Sequence, residues 1–417
     1  MDSIVDKINP WKASGSIDLG RVVQRIQLPE IIDALEDEVI SLLVGPRQVG
    51  KTTLMMLQIE HLINSGVSPK NIWYVNFDYI ELRKSENAVE FLAQFELSST
   101  EKTYFFLDEV QLLPTPGVFL KQLYDLQKMN VINTKIVASG SSALEIKSAI
   151  KESLAGRKRI FTILPLTFQE FMQYRFANLV PTRRMFDEYM TFGGYPAVVK
   201  ANNTQKKKQL LAEIVQSYFQ KDVTDFLKVQ SPQKYNTVLK LLAAQIGNLV
   251  NMSEMSNTAN VELRTLEQYL FYMQETYLLQ IIRPYYRNVR KEVTKQPKVY
   301  FFDMGVRNYF LNSFDDVHLR ADYGFLAENM VLNELKHRYE QEIYFWRTKN
   351  QTEIDFVASN RYDIFDLIEV KAKERKHMRA IKSFASFAEE YTVEKKMVYC
   401  FTNKPGVENG IEYRNLF

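Results

Sequence analysis

The sequence has few of the residues that define a metal or redox site by themselves. It contains one cysteine, Cys400, in 417 residues, so a disulfide framework and a cysteine-based zinc site are both excluded within one chain. Four histidines are scattered along the chain, which argues against a histidine metal cluster: His61, His318, His337 and His377. If the protein uses a metal, we therefore expect magnesium bound by carboxylate and hydroxyl oxygens.

Long hydrophobic runs are also absent. No segment approaches the ~18 consecutive apolar residues of a membrane-spanning helix. Residues 1–10 include Asp2 and Asp6 and lack the apolar core of a secretory signal. We therefore expect a cytoplasmic protein with no membrane partner.

Neither sign of charge dominates the composition. Lys and Arg number 53 against 50 Asp and Glu, a formal charge of +3, so any nucleic-acid-binding surface must be local. With 46% hydrophobic and 25% charged residues, the composition is that of a soluble globular protein. A length of 417 residues, at roughly 150 residues per domain, predicts about three domains.

Short apolar strands alternate with helical segments in the first part of the chain. The pattern predicts strands at 39–44, 71–77, 104–107, 134–138 and 159–163, and helices that include 53–63 and 119–129. Strands that alternate with helices favour an α/β fold with a mostly parallel sheet covered on both faces. Residues 1–20 have no periodicity and are predicted to be a loosely attached lead-in, whereas 21–35 has helical spacing.

A glycine-rich motif follows the first predicted strand. Gly45-Pro-Arg-Gln-Val-Gly-Lys-Thr52 fits the phosphate-loop pattern G-x-x-x-x-G-K-[ST] without a mismatch. Lys51 would reach the β and γ oxygens of ATP, Thr52 would hold Mg²⁺, and the helix N-terminus adds partial positive charge. The predicted nucleotide-binding residues are Gly45, Pro46, Arg47, Gln48, Val49, Gly50, Lys51, Thr52 and Thr53.

Two acids end the third predicted strand. Asp108 after four apolar residues can order the Mg²⁺ shell, and Glu109 can polarise the attacking water; the alternative for Glu109 is a charge at a helix N-terminus. The next strand ends at Ser139-Gly-Ser141-Ser142, where Ser139 or Ser141 could sense the γ-phosphate, or form an ordinary turn.

Arg157 ends Ser153-Leu-Ala-Gly-Arg157 and could act as an arginine finger in cis or in trans, or cap a helix. Arg25 is a weaker candidate for a contact with the nucleotide, on its adenine side.

The middle of the chain has the outline helix, helix, helix, hairpin, which is that of a winged helix. The hairpin, 283–298, carries six positive charges and one negative charge interleaved with Tyr285 and Tyr286. Such a segment can contact the phosphate backbone of DNA. A lid or docking module is the competing interpretation.

An acid cluster is predicted near the C-terminus. Asp355 and Glu369 lie on consecutive predicted strands and can share a Mg²⁺, which would activate water for phosphodiester cleavage. Lys371 lies two residues after Glu369, on the same strand face, and can orient the nucleophile. Glu328, on the preceding helix, is a further candidate metal ligand. The alternative is an inactive fold used for binding or assembly.

Several of these motifs together resemble a family of bacterial and archaeal AAA+-type ATPases. The motifs are Gly45–Thr52, Phe106–Gln111, Ser139–Ser142, Leu154–Arg157, Leu164–Phe168 and Gly193-Gly-Tyr-Pro196. In that family a winged helix and a C-terminal nuclease-like domain follow the ATPase, and the C-terminal motif resembles the PD-(D/E)xK nuclease fold. The Gly-Gly-Tyr-Pro turn also resembles that of switch-type signalling ATPases, which implies that Pro196 packs on adenine; a helix-breaking turn is the alternative.

The resemblance implies four segments. These are a P-loop ATPase core at 1–165, a helical lid at 166–230, a winged helix at 231–312 and a nuclease-like domain at 313–417. We expect an ATP-driven switch or motor that binds nucleic acid, namely DNA, and cleaves it with Mg²⁺. The alternatives are a non-nucleolytic switch that binds DNA or a protein partner, and, with less support, a small-molecule kinase. AAA+ relatives often form rings, so a homo-oligomer is a further expectation.

Overall fold

The computed structural model describes residues 4–83, 87–98, 100–140, 154–177, 179–286, 295–339, 342–361, 363–374, 381–402 and 404–417. The chain forms two compact units. The first comprises Met1–Leu164 with Glu275–Tyr277, and the second comprises Pro165–Gln274 with Leu278–Phe417. Domain borders at 165, 230 and 312 stay predictions.

The first unit is built on a five-stranded parallel sheet. Its strands are β1 (Ile40–Val44), β2 (Ile72–Asn76), β3 (Thr103–Asp108), β4 (Thr134–Gly140) and β5 (Lys158–Thr162). Their order in the sheet is β2-β3-β4-β1-β5. Every residue of β1, β3 and β4 is buried, as expected for parallel strands covered on both faces. The predicted α/β fold is confirmed.

Helices of the first unit connect and cover these strands. They are α1 (Ile4–Ile8), α2 (Trp11–Ser14), α3 (Leu28–Asp33), α4 (Lys51–Asn64), α5 (Ala88–Leu92) and α6 (Pro116–Lys128). Only α3 forms within the helical pattern predicted for 21–35. Pro29 lies in its first turn, where proline is tolerated, and the residue before a proline is disfavoured in a helix.

The N-terminal residues are packed on the sheet, so the prediction of a loosely attached lead-in is wrong. Trp11 is 1% exposed, and its indole N–H donates to Ile72 O at 3.2 Å. The Asn9 amide pairs with both backbone groups of Tyr74: it donates to the carbonyl at 2.8 Å and accepts from the N–H at 2.6 Å. One side chain thus occupies hydrogen-bonding groups that an edge strand would otherwise expose.

The second unit begins with helices. They are α7 (Phe168–Arg175), α8 (Arg183–Phe192), α9 (Pro196–Lys200), α10 (Thr204–Ser217), α11 (Pro232–Ala244), α12 (Met252–Ala259) and α13 (Leu263–Glu275), and α10 continues into a π-helix at Tyr218–Phe226. The antiparallel strands β6 (Leu279–Ile282) and β7 (Lys298–Phe301) follow. Three helices and a hairpin are therefore present in the predicted order, and their assignment as a winged helix stays a prediction. None of the described helices is both long and apolar enough to cross a bilayer.

A mixed six-stranded sheet forms the C-terminal part of this unit. After α14 (Met304–Phe310) and α15 (Tyr323–Arg338) come β8 (Ile343–Arg347), β9 (Glu353–Arg361), β10 (Ile364–Glu374), α16 (Lys382–Ala388), β11 (Thr392–Phe401), β12 (Gly406–Glu408) and β13 (Ile411–Asn415). The order in the sheet is β12-β13-β11-β10-β9-β8. The strands β8, β9 and β10 are antiparallel, and β11 is parallel to β10.

Two residues of the hairpin contact this sheet, and DNA contact by the hairpin stays a prediction. Tyr285 N donates to Phe345 O at 2.7 Å, and the Tyr285 ring packs 4.8 Å from the ring of Phe365. The Lys298 side chain is 3% exposed and pairs with Glu353. The partly buried Tyr285 ring and the paired Lys298 ammonium therefore both make contacts within this unit. Most of the basic hairpin tip, 287–294, lies outside the described residues.

Candidate functional site

The phosphate loop lies between β1 and α4. A Cβ on Gly45 would lie 2.0 Å from the carbonyl oxygen of Ile163, which follows β5. Only glycine fits this close approach, which sets the path of the chain as it leaves the strand. The helix begins at Lys51, so the last residues of the motif form the first turn, where backbone N–H groups have no partner within the helix.

The Lys51 side chain is 5% exposed and is folded back on its own loop. Its ammonium donates to Gly45 O at 3.0 Å and to Pro46 O at 2.8 Å. Arg25, which is 6% exposed, braces the same loop by donating to Val49 O at 3.1 Å and to Leu164 O at 2.7 Å. Arg25 therefore supports the loop backbone, a role that its position in the sequence did not indicate.

The Asp108 carboxylate is the centre of a polar network at the end of β3. Thr52 Oγ1 donates to its Oδ2 at 2.7 Å, and the Tyr74 hydroxyl donates to the same oxygen at 2.8 Å. Ser139 Oγ donates to the other oxygen, Oδ1. Thr52 and Asp108 thus lie together as expected, and Ser139 joins them, whereas Ser141 lies outside the described residues. A role of Ser139 in sensing the γ-phosphate stays a prediction.

Tyr74 is a member of this site that sequence reasoning missed. Burial, reinforced by the Asp108 carboxylate, raises the pKa of the Tyr74 phenol far above its ordinary value, so the hydroxyl remains a donor. The available signal was the strand register: Asn76 pairs with Asp108 across β2 and β3, and Tyr74 lies two residues before Asn76, on the same sheet face.

Glu109 lies at the entrance of this network. Its backbone is left-handed, with φ 58°, and its N–H donates to Ser139 Oγ at 3.2 Å. The carboxylate lies 3.8 Å from Arg47 Nη1 and accepts from the Gln111 amide. It does not cap the short 3₁₀ turn Val110–Leu112 that follows, so a capping role does not account for it.

Arg157 lies at the opposite edge of the sheet from the phosphate loop. Its carbonyl accepts from Ile40 N at 3.0 Å, at the start of β1, whereas the loop follows the end of that strand, ~13–17 Å further on. Its guanidinium lies 3.5 Å from Asp125. This placement does not bring Arg157 to the loop of its own chain, and a role in trans stays a prediction. Pro196 begins α9 in the second unit, and its contact with adenine also stays a prediction.

In the second unit, β9 and β10 bring the predicted C-terminal acids together. Ile368 pairs with Phe356 in antiparallel register, which makes Asp355 and Glu369 neighbours. Val370 N donates to Asp355 Oδ2 at 2.7 Å. The Lys371 ammonium lies 2.5 Å from Glu369 Oε1 and 3.9 Å from Asp355 Oδ2.

The electrostatics of this acid cluster disfavour full ionisation. Burial, and then the charge of Asp355, raise the pKa of Glu328 to about 8 and that of Glu369 to about 7. Burial lowers the pKa of Lys371, but the surrounding carboxylates outweigh it and hold the pKa above the ordinary value. A bound cation would relieve the repulsion among the acids.

One atom of the cluster fits a cation directly. Glu369 Oε2 is buried and has no hydrogen-bond partner, although buried carboxylate oxygens are normally satisfied. Within the described residues, no group of three or more His, Cys, Asp or Glu side chains is arranged to hold a metal ion. Glu328 as a further ligand beside Asp355 and Glu369 stays a prediction. Magnesium, however, is commonly held by one or two carboxylates, with water and phosphate as its other ligands.

Two residues of β7 reach the same cluster. The Tyr300 hydroxyl donates to Glu328 Oε2 at 3.0 Å, and Lys298 Nζ lies 2.5 Å from Glu353 Oε1. Both side chains lie on one face of the strand, since they are two residues apart. Sequence reasoning missed them because it assigned β7 to a separate winged helix.

Three parts of the sequence match protein families. Residues 37–172, which contain the phosphate loop, Asp108, Glu109 and Ser139, match the family described as AAA domain. This segment is similar to an AAA-type ATPase domain. Residues 183–316 and 323–413 each match a family described as a domain of unknown function, DUF8612 and DUF4143 respectively.

Relatives occur in bacteria and archaea. An uncharacterized protein of Haemophilus influenzae is 29% identical over 350 residues, which cover 81% of this chain and 84% of that protein. The protein MJ1544 of Methanocaldococcus jannaschii is 24% identical, covering 83% of this chain and 78% of its own length. Rv2008c of Mycobacterium tuberculosis is 25% identical, and the alignment covers 77% of this chain and 68% of that protein.

Two solved structures align with much of the chain. The Aeropyrum pernix ORC1 protein in complex with DNA has a TM-score of 0.33 and 15% identity, and the alignment covers 72% of this chain and 96% of that one. A structure on katanin self-assembly has a TM-score of 0.31 and 14% identity, and the alignment covers 53% of this chain and 81% of that one. Neither alignment is close enough to assign a property to this chain.

Proposed function

We propose that this protein is an ATP-binding and ATP-hydrolysing switch or motor whose output acts on DNA. The observation that carries the ATPase part is the 2.7 Å hydrogen bond between Thr52 and Asp108, with Glu109 immediately after. A P-loop hydroxyl and a strand-end carboxylate in contact are the pair that holds Mg²⁺ in P-loop ATPases. The match to the AAA domain supports ATP binding and hydrolysis.

Each side chain then has a defined part in hydrolysis. The Lys51 ammonium would exchange the carbonyls of Gly45 and Pro46 for phosphate oxygens. Thr52 and Asp108 would hold Mg²⁺, which neutralises charge on the β and γ oxygens when bound. Glu109 would accept a proton from the water whose oxygen bonds to the γ-phosphorus, while the bond to the bridging oxygen breaks and ADP leaves.

The ATPase proposal is tested with Lys51→Ala. We expect ATP hydrolysis to fall to background because no other side chain of the motif carries an ammonium to the β and γ oxygens. Lys128→Ala is the matched control, since Lys128 is a partly exposed lysine of the same unit that pairs with Glu38. Normal turnover in Lys51→Ala would refute the assignment of the phosphate loop.

The output of the second unit is the finer part of the proposal. Asp355 and Glu369 would hold a Mg²⁺, and the unsatisfied oxygen of Glu369 supports a cation there. When bound, the metal would activate water and stabilise the charge that develops on a DNA phosphate. Lys371, close to both carboxylates, would orient that water.

Plasmid incubation with Mg²⁺ tests the cleavage. We expect nicking or linearisation by the wild type and loss of it in Asp355→Ala, with Glu408→Gln, an exposed position on β12, as the control. No cleavage by the wild type, in Mg²⁺ or Mn²⁺ and with or without ATP, would refute the nuclease assignment.

A second candidate is a switch ATPase that binds DNA or a protein partner without cutting DNA. Two observations favour it: Lys371 pairs with both carboxylates, and no three-ligand group occurs in the described part of the chain. DNA binding that weakens steeply with salt, without cleavage, would support this alternative.

The predicted homo-oligomer is a separate question. Light scattering with and without ATP would test whether the protein self-assembles.

A further inference from the structure

Arg47 lies inside the phosphate loop, yet its guanidinium faces the acid that we assign as the general base. Arg47 Nη1 is 3.8 Å from Glu109 Oε2, and the two side chains are only 18% and 15% exposed. A pair so little exposed is screened by water far less than a surface ion pair. The Gln111 amide donates to the same carboxylate oxygen, so Glu109 is held beside the loop in this structure.

This arrangement conflicts with the work of a general base. A base needs a free lone pair directed at water near the γ-phosphate, whereas here the carboxylate oxygen accepts from Gln111 and faces Arg47. A guanidinium also binds phosphate oxygens strongly, because its fork of N–H groups matches them in geometry and charge. Glu109 and the γ-phosphate are both anions, and one guanidinium cannot pair fully with both.

We infer that Arg47 is a positioning residue with two alternative partners, Glu109 before ATP binds and the γ-phosphate afterwards. The inference rests on the proposed hydrolysis of ATP at this loop. Arrival of the γ-phosphate draws the guanidinium away, which removes one of the two groups that hold Glu109 and lets its carboxylate turn toward the attacking water. Once ADP remains, the γ-phosphate is gone and Arg47 returns to Glu109. The loop thus distinguishes ATP from ADP through a residue within its own motif.

The arrangement predicts a thermodynamic coupling between Arg47 and Glu109. Glu109→Gln removes the charge that competes for Arg47, so it should tighten binding of the β,γ-imido analogue of ATP by ~5- to 10-fold while ADP affinity stays unchanged. Arg47→Ala should weaken the analogue by ~10-fold or more and leave ADP nearly unaffected. In the double variant, Glu109→Gln should no longer tighten analogue binding, because the residue it competes for is absent.

Calorimetric titration with Mg²⁺ and each nucleotide measures these affinities in four full-length proteins. They are the wild type, Arg47→Ala, Glu109→Gln and the double variant. Arg47→Lys keeps the charge without the fork and should recover only part of the preference for the analogue over ADP. Arg159→Ala is the control, because Arg159 pairs with Glu30 and Asp37 and lies at the start of β5, far from the loop.

Two results would overturn the inference. One is an equal effect of Glu109→Gln with and without Arg47, and the other is an equal loss of analogue and ADP affinity in Arg47→Ala. The second outcome would make Arg47 a general structural part of the loop. Loss of hydrolysis in Lys51→Ala tests the ATPase separately, so the two failures are distinguishable.

Discussion

At the scale of single residues, the ATP site is organised by one carboxylate with donors from three elements. Thr52 on α4, Tyr74 on β2 and Ser139 on β4 all donate to Asp108. The carboxylate is 1% exposed, so these hydrogen bonds offset its removal from water. They also hold it in one orientation, which lowers the reorganisation needed when a metal binds.

Tyr74→Phe should weaken magnesium-dependent hydrolysis. Loss of one donor to a buried carboxylate costs ~1 kcal/mol or more, so we expect the Mg²⁺ concentration for half-maximal ATP hydrolysis to rise about five-fold. Tyr79→Phe is the control, since Tyr79 is 40% exposed. An unchanged magnesium dependence would mean that the Tyr74 hydroxyl does not position Asp108.

At the scale of elements, the Gly-Gly-Tyr-Pro turn is a tight junction between segments of the second unit. Gly194 N donates to Asp303 Oδ2 at 2.7 Å, and Asp303 also caps α14 through Val306 N at 2.9 Å. Leu166 N donates to Gly194 O at 2.8 Å. A carboxylate far along the chain therefore holds the turn, which supports a structural role for the two glycines whether or not Pro196 meets adenine.

Gly194→Ala should destabilise the second unit. The new Cβ would lie 2.1 Å from Leu166 O, a backbone atom that cannot move aside, and we expect a loss of ~2 kcal/mol or more in the free energy of unfolding. Gly324→Ala, near the start of α15, meets nothing within 4 Å and should be neutral or stabilising by up to ~1 kcal/mol. Urea unfolding measures the stability of both variants. Equal midpoints would contradict the close packing of Gly194 against the backbone of Leu166.

Asp303 should make stability depend on pH. Burial raises its pKa from 3.8 to about 6, against the lowering effect of three backbone N–H donors. Because the folded-state pKa is the higher one, the stabilisation is fully present below the unfolded pKa and is lost as pH rises through the folded pKa. The loss between pH 4 and 7 should be ~2–3 kcal/mol.

The comparison for this pH effect is Asp303→Asn. The asparagine will lower stability at every pH, because its NH₂ group faces a backbone donor. The expected signature is therefore the slope: the difference in unfolding free energy between wild type and variant should shrink as pH rises from 4 to 7. A difference that does not change with pH would show that Asp303 ionises with its ordinary pKa.

At the scale of the whole molecule, the β6–β7 hairpin and the C-terminal sheet belong to one compact unit. Phe301 N donates to the Asn329 side chain at 2.8 Å, and Asn329 donates back to Phe301 O at 2.6 Å. Lys298 pairs with Glu353, and Tyr300 binds Glu328. The acid cluster therefore takes contacts from the hairpin, so a partner bound to the hairpin has a direct physical route to it.

A fragment that starts at residue 313 should fold poorly. It would leave the buried Asn329 amide without the backbone of Phe301, and unpaired buried polar groups of this kind cost ~1–3 kcal/mol each. We expect a fragment starting at Pro165 to unfold cooperatively in urea and the 313–417 fragment to unfold earlier or gradually. Equal midpoints and slopes would make the C-terminal sheet an independent domain.

Much of the first unit could be predicted from its sequence because the signals are local. All five predicted strands are present, each within three residues at either end, since runs of buried apolar residues between turn signals identify parallel strands. The phosphate loop was visible because its function needs adjacent residues in one order. The packing of the N-terminal segment on the sheet could not be predicted, because Asn9 pairs with Tyr74 without any periodic pattern in the sequence.

The sequence by itself determined where the elements lie and which short motifs carry the chemistry, because backbone geometry imposes local periods and spacings. The tertiary structure alone decided which distant residues complete those motifs: Tyr74 at Asp108, Arg47 at Glu109, and Lys298 and Tyr300 at the acid cluster. It also placed Arg157 away from the loop of its own chain. Such contacts depend on strand order, register and chain path, which no short window of residues encodes.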